Sequence, residues 1–334
     1  MKIIKENRIE KLDFWRNLKK PIFIMAPMAN VTDFAFREMF AKYGKPDMMW
    51  TEFVSADGLC SAGRKVLLND LKFSKKQKPI VAQLFSSKTE KMREACRIVA
   101  KLDFDGIDIN MGCPDKSIEK SGAGAGHIKN PELAIKIIES ARKGTFLPIS
   151  VKTRIGYNKI DLSWIEILLR QHLSALTVHL RTRKEMSDVP AHWEIMPEII
   201  ALRDRISPGT LIIGNGDVYS MAQAHEKVKK YNCDGIMIGR GIFGNPWFFN
   251  KDLYKAGKTV SDIPIKKRLK VMLEHAKTFE KYLDKIKNFS NMKKHFKAYM
   301  SGFDGAKKLR VKLMESDDLK DVERIVKGYI KVLK

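Results

Sequence analysis

Asn110-Met111-Gly112-Cys113-Pro114 sets a side-chain amide and a thiol three residues apart at the end of an apolar run, Gly106-Ile107-Asp108-Ile109-Asn110. The run reads as a buried strand, and the proline after Cys113 restricts the backbone as the chain leaves it. A thiol in that place faces whatever binds at the strand's C-terminal end. There it can donate a proton or, as thiolate, attack. Most free cysteines are small buried apolar residues instead. Matching polar equipment at seven other strand ends argues against that reading here.

Strand one ends in Ala26-Pro27-Met28-Ala29, whose backbone amides and thioether suit the covering of a flat ring. Strand two ends near Glu52, and strand three carries Gln83. Strand four presents Asn110, strand five Lys152 and then Arg154, strand six His179 followed by Arg181 and Arg183. Strand seven runs into Asn215-Gly216-Asp217 and strand eight into Gly239-Arg240-Gly241. Glycines after strands seven and eight let backbone N–H groups approach a phosphate, and Arg240 adds a charged fork. Gln83 and Lys152 suit a heterocycle rich in acceptors. Lys152 would also stabilise negative charge at the N1/O2 edge of a reduced flavin. One phosphate, one polar ring edge and an apolar cover describe FMN. Each signal alone is weak, since a strand-end lysine also serves as a Schiff-base residue or a structural ion-pair partner. Gly122, Gly124 and Gly126 lack the spacing of a dinucleotide fingerprint and read as a flexible loop flanking a substrate.

The elements that must position these residues are eight short apolar runs: Ile22–Met25, Met48–Glu52, Ile80–Phe85, Gly106–Asn110, Ile149–Thr153, Ala175–His179, Leu211–Gly214 and Gly235–Gly239. Amphipathic stretches lie between them. Thr89–Lys101 begins at a threonine suited to N-capping, and Pro131–Lys143 has proline in its first turn and Gly144 at its end. Eight strand–helix units that bury both strand faces predict a closed (β/α)8 TIM barrel, with a doubly wound open sheet as the alternative. A domain boundary is expected near residue 250, giving a catalytic barrel over 1–250 and a small all-α bundle over 251–334. Leu269, Met272, Ala276 and Phe279 form one apolar stripe of that bundle. Val322, Ile325, Val326 and Tyr329 form another, and His295 with Phe296 and Tyr299 reads as packing rather than ligation.

The formal net charge is +24, and residues 251–334 hold half of it, with 23 Lys and Arg against 11 Asp and Glu. A polyanion partner follows, nucleic acid before membrane. Cys60, Cys96, Cys113 and Cys233 form no C-x-x-C pair and no cluster with histidine, so a reduced protein without metal is expected. No run of 18 apolar residues spans a membrane, and Met1 to Lys20 lacks a signal-peptide core, which together predict a cytoplasmic protein. Nothing requires more than a monomer.

Five segments in order resemble the tRNA-dihydrouridine synthase family, in particular its bacterial B-type branch. They are Ala26-Pro27-Met28-Ala29-Asn30-Val31-Thr32-Asp33, the Asn110–Pro114 block, Val151-Lys152-Thr153-Arg154-Ile155-Gly156, Asn215-Gly216-Asp217 and Ile238-Gly239-Arg240-Gly241. The resemblance extends to Tyr299–Phe303 and Gly305–Arg310. It implies an FMN barrel, a helical RNA-binding domain, NADPH (or NADH) as reductant, and reduction of the C5=C6 bond of selected tRNA uridines. Pro27, Met28, Ala29, Gln83, Lys152, His179, Asn215, Gly216, Asp217, Gly239 and Arg240 match its flavin positions. Cys113 matches its catalytic cysteine, and Asn110 a residue at the uracil. One departure is Leu180, where the family has a small residue between His179 and Arg181. In the implied chemistry hydride goes from flavin N5 to C6 of uracil, Cys113 protonates C5, and Arg154 and Arg181 are candidates for the enolate oxygen or the RNA phosphates. The target nucleotide must leave its stack to reach the flavin. Rival readings are an FMN oxidoreductase acting on a free pyrimidine, a flavin-free aldolase with Lys152 as Schiff base, and an RNA-binding module with a dead barrel.

Overall fold

The structure is a computed structural model that describes residues 14–333; the reading of Met1 to Lys20 therefore falls mostly outside the described residues. Eight parallel strands follow one another: β1 (Ile22–Met25), β2 (Met49–Ser55), β3 (Ile80–Phe85), β4 (Gly106–Met111), β5 (Ile149–Arg154), β6 (Ala175–His179), β7 (Leu211–Asn215) and β8 (Gly235–Ile238). From β2 to β8 each strand pairs with its sequence neighbour, and β8 pairs with β1. A parallel bridge between Ile24 and Met48 joins β1 to the entry of β2 and closes the cylinder. The fold is a (β/α)8 barrel, and the open sheet is excluded.

Strand pleating explains why apolar runs carry polar residues at fixed places. Successive side chains alternate between the barrel interior and the helix layer. Ile80, Ala82 and Leu84 join the cluster beneath the helices, as do Ile107, Ile109 and Met111. The alternate set faces inward. Its lower layer is apolar, built from Trp15, Ile22, Ile24, Trp50, Val81, Ala175, Ile213 and Met237. Its upper layer holds Gln83, Asn110, Lys152, His179 and Asn215 around the mouth.

The helices of eight or more residues are α1 (Phe34–Tyr43), α2 (Thr89–Val99), α3 (Pro131–Gly144), α4 (Leu162–Leu169), α5 (Met196–Ile206), α6 (Met221–Tyr231), α7 (Ile265–Leu283), α8 (Asn291–Tyr299), α9 (Ala306–Met314) and α10 (Leu319–Val332). Thr89 does not cap α2. Lys88 occupies the cap position without a side-chain bond to the helix, and its own N–H donates to Ser86 Oγ at 2.9 Å. Asn130 caps α3 ahead of Pro131. Strand β8 stops before Gly239, whose backbone turns away at ψ −100°. Strand β2 runs on to Ser55 because its register shifts between Trp50 and Phe53.

Helices α7 to α10 share one apolar cluster, which also takes in Ala35 and Met39 of α1 and Trp247. His275 and His295 lie fully buried there beside Phe36, their ring centroids 4.8 Å apart. The stretch around residue 250 is folded, with Asn250 capping the short helix Lys251–Lys255 and donating to the Tyr43 carbonyl at 2.8 Å. Among the described residues no helix is long and apolar enough to cross a membrane, and no group of three or more His, Cys, Asp or Glu is placed to hold a metal.

Candidate active site

Cys113 sits on a turn tied to the end of β4. Asn110 Oδ1 accepts from the N–H groups of Gly112 and Cys113, at 3.1 and 2.9 Å. Gly112 passes so close to β5 that a Cβ there would meet the Thr153 backbone at 3.0 Å. The Cys113 carbonyl accepts from Ala125 N–H at 2.9 Å, which folds the glycine loop back onto the cysteine. Gly124 makes this possible: its φ is +58°, and a Cβ would stand 2.7 Å from the Cys113 carbonyl oxygen. Burial pushes the thiol above its ordinary value, with the Asp115 backbone, Lys152 and Arg154 pulling weakly the other way. The thiol is therefore protonated at neutral pH.

Across the mouth Gln83 Nε2 donates to Asp108 Oδ2 at 2.7 Å, and Asn110 Nδ2 donates to Gln83 Oε1 at 3.0 Å. Burial pushes the Asp108 carboxyl up to about 6, although Ser150 Oγ and Gln83 donate to it. Lys152 is pulled down to about 8, first by burial and then by Arg154. Its interactions are with the charges of Asp108, Arg154 and Cys113, with no hydrogen bond among the described residues. An amine in that state is poised for an anionic or acceptor-rich ligand edge.

On the other side Asp217, at φ +48°, gathers donors. It accepts from Arg181 Nη2, from Arg240 Nη2 at 2.9 Å and from Ala191 N–H at 2.9 Å. These bonds hold its carboxyl below the ordinary value against burial. Arg240 stays half exposed beside Gly239 and Gly241. Arg181 Nη1 donates to His179 Nε2 at 3.2 Å, so that imidazole carries its proton on Nδ1. Burial, with Lys152 and three arginines nearby, keeps His179 neutral. Asn215 Nδ2 donates to the Met237 carbonyl at 2.8 Å.

A cavity of about 280 Å³ brings these groups together. Its wall includes Pro27, Met28, Gln83, Asn110, Cys113, Lys152, Arg154, His179, Arg181, Asn215, Gly216, Asp217, Gly239 and Arg240. Ala29 is exposed and does not line it. The two arginines proposed for substrate have structural partners. Arg154 Nε donates to the Gly112 carbonyl and Nη1 to those of Thr182 and Met186, each at 2.9 Å. Arg181 is spent on Val189, His179 and Asp217. Both brace loops of the mouth, and Arg154 holds the cysteine turn itself.

Residues without a role in the sequence now have places. Glu52 accepts from Asn30 N–H at 2.5 Å and pairs with Lys287 at 2.6 Å, and Lys287 reaches Asp70 at 3.0 Å. Asp57 accepts from Ser86 Oγ at 2.6 Å. Asp115 caps the short helix Lys116–Lys120. His127 is buried against the Ser86 carbonyl and pulled down to about 4 by burial. Asp188 N–H closes a turn on the Glu185 carbonyl. Phe53, Ser187 and Tyr219 line the cavity unforeseen, the last two from loops that carry no periodic signal. Asp108 was also missed, although its inward position two residues before Asn110 follows from strand alternation. Arg183 forks onto Glu119 and lies 5.7 Å from the Tyr157 ring centroid, joining the glycine-loop side of the mouth to the β6 loop.

The family model described as "Dihydrouridine synthase (Dus)" matches residues 24–333. A "Probable tRNA-dihydrouridine synthase" of Staphylococcus aureus (strain MRSA252) is 40% identical over 323 residues, covering 96% of each chain. A "Probable tRNA-dihydrouridine synthase 2" of Bacillus subtilis (strain 168) is 38% identical over 321 residues, 95% of this chain and 96% of the relative. A solved 2-naphthoyl-CoA reductase in complex with 2-naphthoyl-CoA superposes with a TM-score of 0.53 at 11% identity, over 73% of this chain and 53% of that one. At that identity the likeness speaks for the barrel fold alone. With a family match over nearly the whole chain and relatives at 40% identity end to end, the chain belongs to the dihydrouridine synthase family.

Proposed function

We propose that this tRNA-dihydrouridine synthase binds FMN across the barrel mouth, takes reducing equivalents from NADPH (or NADH), and reduces the C5=C6 bond of uridines in tRNA. The donor set fits the cofactor. Pro27 and Met28 would cover the ring, and Gln83 and the unbonded Lys152 would meet its acceptor-rich edge. Gly216, Gly239 and Arg240 would hold the phosphate, with Asn215, Asp217 and His179 shaping that side. Bound flavin supplies hydride chemistry. The other tasks fall to this chain's own side chains.

Uracil that has accepted hydride at C6 is an enolate and needs a proton at C5. Cys113 holds that proton, because burial keeps its thiol protonated while the Asn110 turn keeps it at the cavity wall. The thiol's place on the cavity wall, held there by the Asn110 turn, is the observation that carries the reading. Asn110 keeps one amide hydrogen for the uracil edge after its bond to Gln83. The basic helical part, 251–334, would grip RNA phosphates while the target nucleotide is extruded into the mouth. The reading suits a cytoplasmic monomer.

Cys113→Ala tests it with tRNA, NADPH and FMN-loaded protein. The variant should retain bound FMN, RNA affinity and NADPH oxidation, yet lose about 10²-fold or more of dihydrouridine formation, the range of a lost general acid. Near wild-type product would remove Cys113 from the reaction.

A further inference from the structure

We propose that Asp108 is a positioning residue, which fixes the orientation of two side-chain amides and through them the place of the Cys113 thiol. Asp108 faces inward from the middle of β4 and is fully buried. Its oxygens accept from Ser150 Oγ at 2.6 Å and Gln83 Nε2 at 2.7 Å. Gln83 Oε1 takes Asn110 Nδ2 at 3.0 Å, and Asn110 Oδ1 takes the turn amides of Gly112 and Cys113. Four side chains thus form one buried row from the barrel interior to the cysteine.

The row has a direction. An amide side chain donates from one end and accepts at the other. The backbone N–H groups of the turn can only donate, so Asn110 must give them its oxygen and turn its nitrogen to Gln83. Gln83 must then give its oxygen to Asn110 and its nitrogen to residue 108, where only an acceptor completes the row. Turning one amide over would oppose two donors or two acceptors at buried contacts, which removes the bond and leaves its partners unsatisfied. Asp108 is the group that makes the observed direction self-consistent at the end remote from the thiol.

The inference rests on Cys113 as the proton donor, but its test reads the thiol rather than turnover. Asn110→Asp keeps an acceptor for the turn amides and sets a second oxygen against Gln83 Oε1. Gln83 must then turn over and bring its oxygen against Asp108. Asp108→Asn alone preserves the row, since the new amide accepts from Gln83 and donates to Ser150 Oγ. The double variant reverses the whole row: Ser150 donates to the new amide oxygen at 108, that amide donates to Gln83 Oε1, and Gln83 Nε2 donates to the new carboxylate at 110.

The measurement is the alkylation rate of Cys113 by iodoacetamide at pH 8 in the folded full-length protein, quantified on the Cys113 peptide by mass spectrometry. Asp108→Asn should stay within about twofold of wild type, Asn110→Asp should differ by about tenfold, and the double variant should return to within about threefold, the non-additivity of coupled neighbours. A double variant as far from wild type as Asn110→Asp, an unaffected Asn110→Asp, or an Asp108→Asn variant that departs alone would each overturn the proposal. If Asn110→Asp does not fold, the double variant decides: folded with a near wild-type rate supports the row, unfolded rejects it. Full turnover in Cys113→Ala would sink the proton-donor reading and leave this result standing.

Discussion

Lys152 is an ammonium held in the barrel with no hydrogen bond among the described residues, pulled down to about 8 by burial and by Arg154. Burying such a group costs the fold stability, a cost that the proposed flavin contact would offset. Its folded value lies below the unfolded 10.5, so the fold binds its proton less readily than the unfolded chain. The cost is complete below about 8 and fades as pH rises toward the unfolded value. Lys152→Met should therefore stabilise the flavin-free protein at pH 7 by about 1–3 kcal/mol, an advantage lost toward pH 10, while weakening FMN retention. Urea unfolding at several pH values checks the first half, and a variant no more stable than wild type would contradict it. Lys152 and Asn110 were legible in the sequence because each is a polar residue near the end of an apolar run, and Gln83 because its amide interrupts the run Ile80–Phe85. Asp108 was not singled out because it lies inside its run, where a polar residue looks like noise until alternation assigns it to the interior. The duties of Arg154 and Arg181 were illegible for another reason. Arg154 bonds only backbone carbonyls of loops 28 to 42 residues away, and Arg181 adds the Val189 carbonyl to His179 and Asp217; no side-chain spacing records the carbonyls.

Helices announce themselves through a stripe repeated along one element, as α7 does, or through punctuation at their ends, as Pro131 and Gly144 mark α3. Strand ends shifted by a residue or more: β2 runs on through a bulge, β8 stops at the turn at Gly239, and β4, β5 and β7 each run one residue further, since none of these changes residue type. Contacts between elements leave less trace still. Lys287, between α7 and α8, pairs with Glu52 on β2 and with Asp70, and its side chain is only 10% exposed. Glu52 also accepts from Asn30 N–H in the loop that follows β1, next to Met28 of the cavity wall. One buried ion cluster thus ties the helical part to the loop over the mouth. Lys287→Met would leave Glu52 buried with its counter-ion gone. Removing one partner of a buried pair costs about 3–5 kcal/mol. The variant should unfold at correspondingly lower urea and retain FMN less well. Unfolding at the wild-type midpoint would mean that the pair contributes nothing.

Over the whole molecule the charge pattern pointed to a polyanion partner and the element order to a barrel, because both are sums over many residues. How the parts answer to pH is set by a few buried groups. His275 and His295 sit between α1 and the helical part with no hydrogen-bond partner on either ring nitrogen among the described residues. Burial pulls His275 down to about 3 and His295 well below the ordinary value, with each other and Lys294 adding to the effect on His295. His127 follows the same direction. Folded values below the unfolded 6.5 mean that these rings stay neutral in the fold while the unfolded chain takes up protons. Their contribution is intact above about 6.5 and is lost as pH falls toward about 3. Asp33 and Asp108 act oppositely: burial raises both to about 6, so the fold gains protons first and stability grows as pH falls from there toward 3.8. With His179 these make four buried histidines against two carboxyls, which leaves a net loss between pH 6.5 and 4. Each 1.5-unit step below the unfolded histidine value is worth about 2 kcal/mol per ring. His275→Leu removes one such ring, and with it a buried group whose nitrogens have no partner among the described residues. It should cost little at pH 7.5 and flatten the decline in unfolding free energy between pH 6.5 and 5 by about 2 kcal/mol. A variant whose pH profile merely parallels that of wild type would show that the acid sensitivity arises elsewhere.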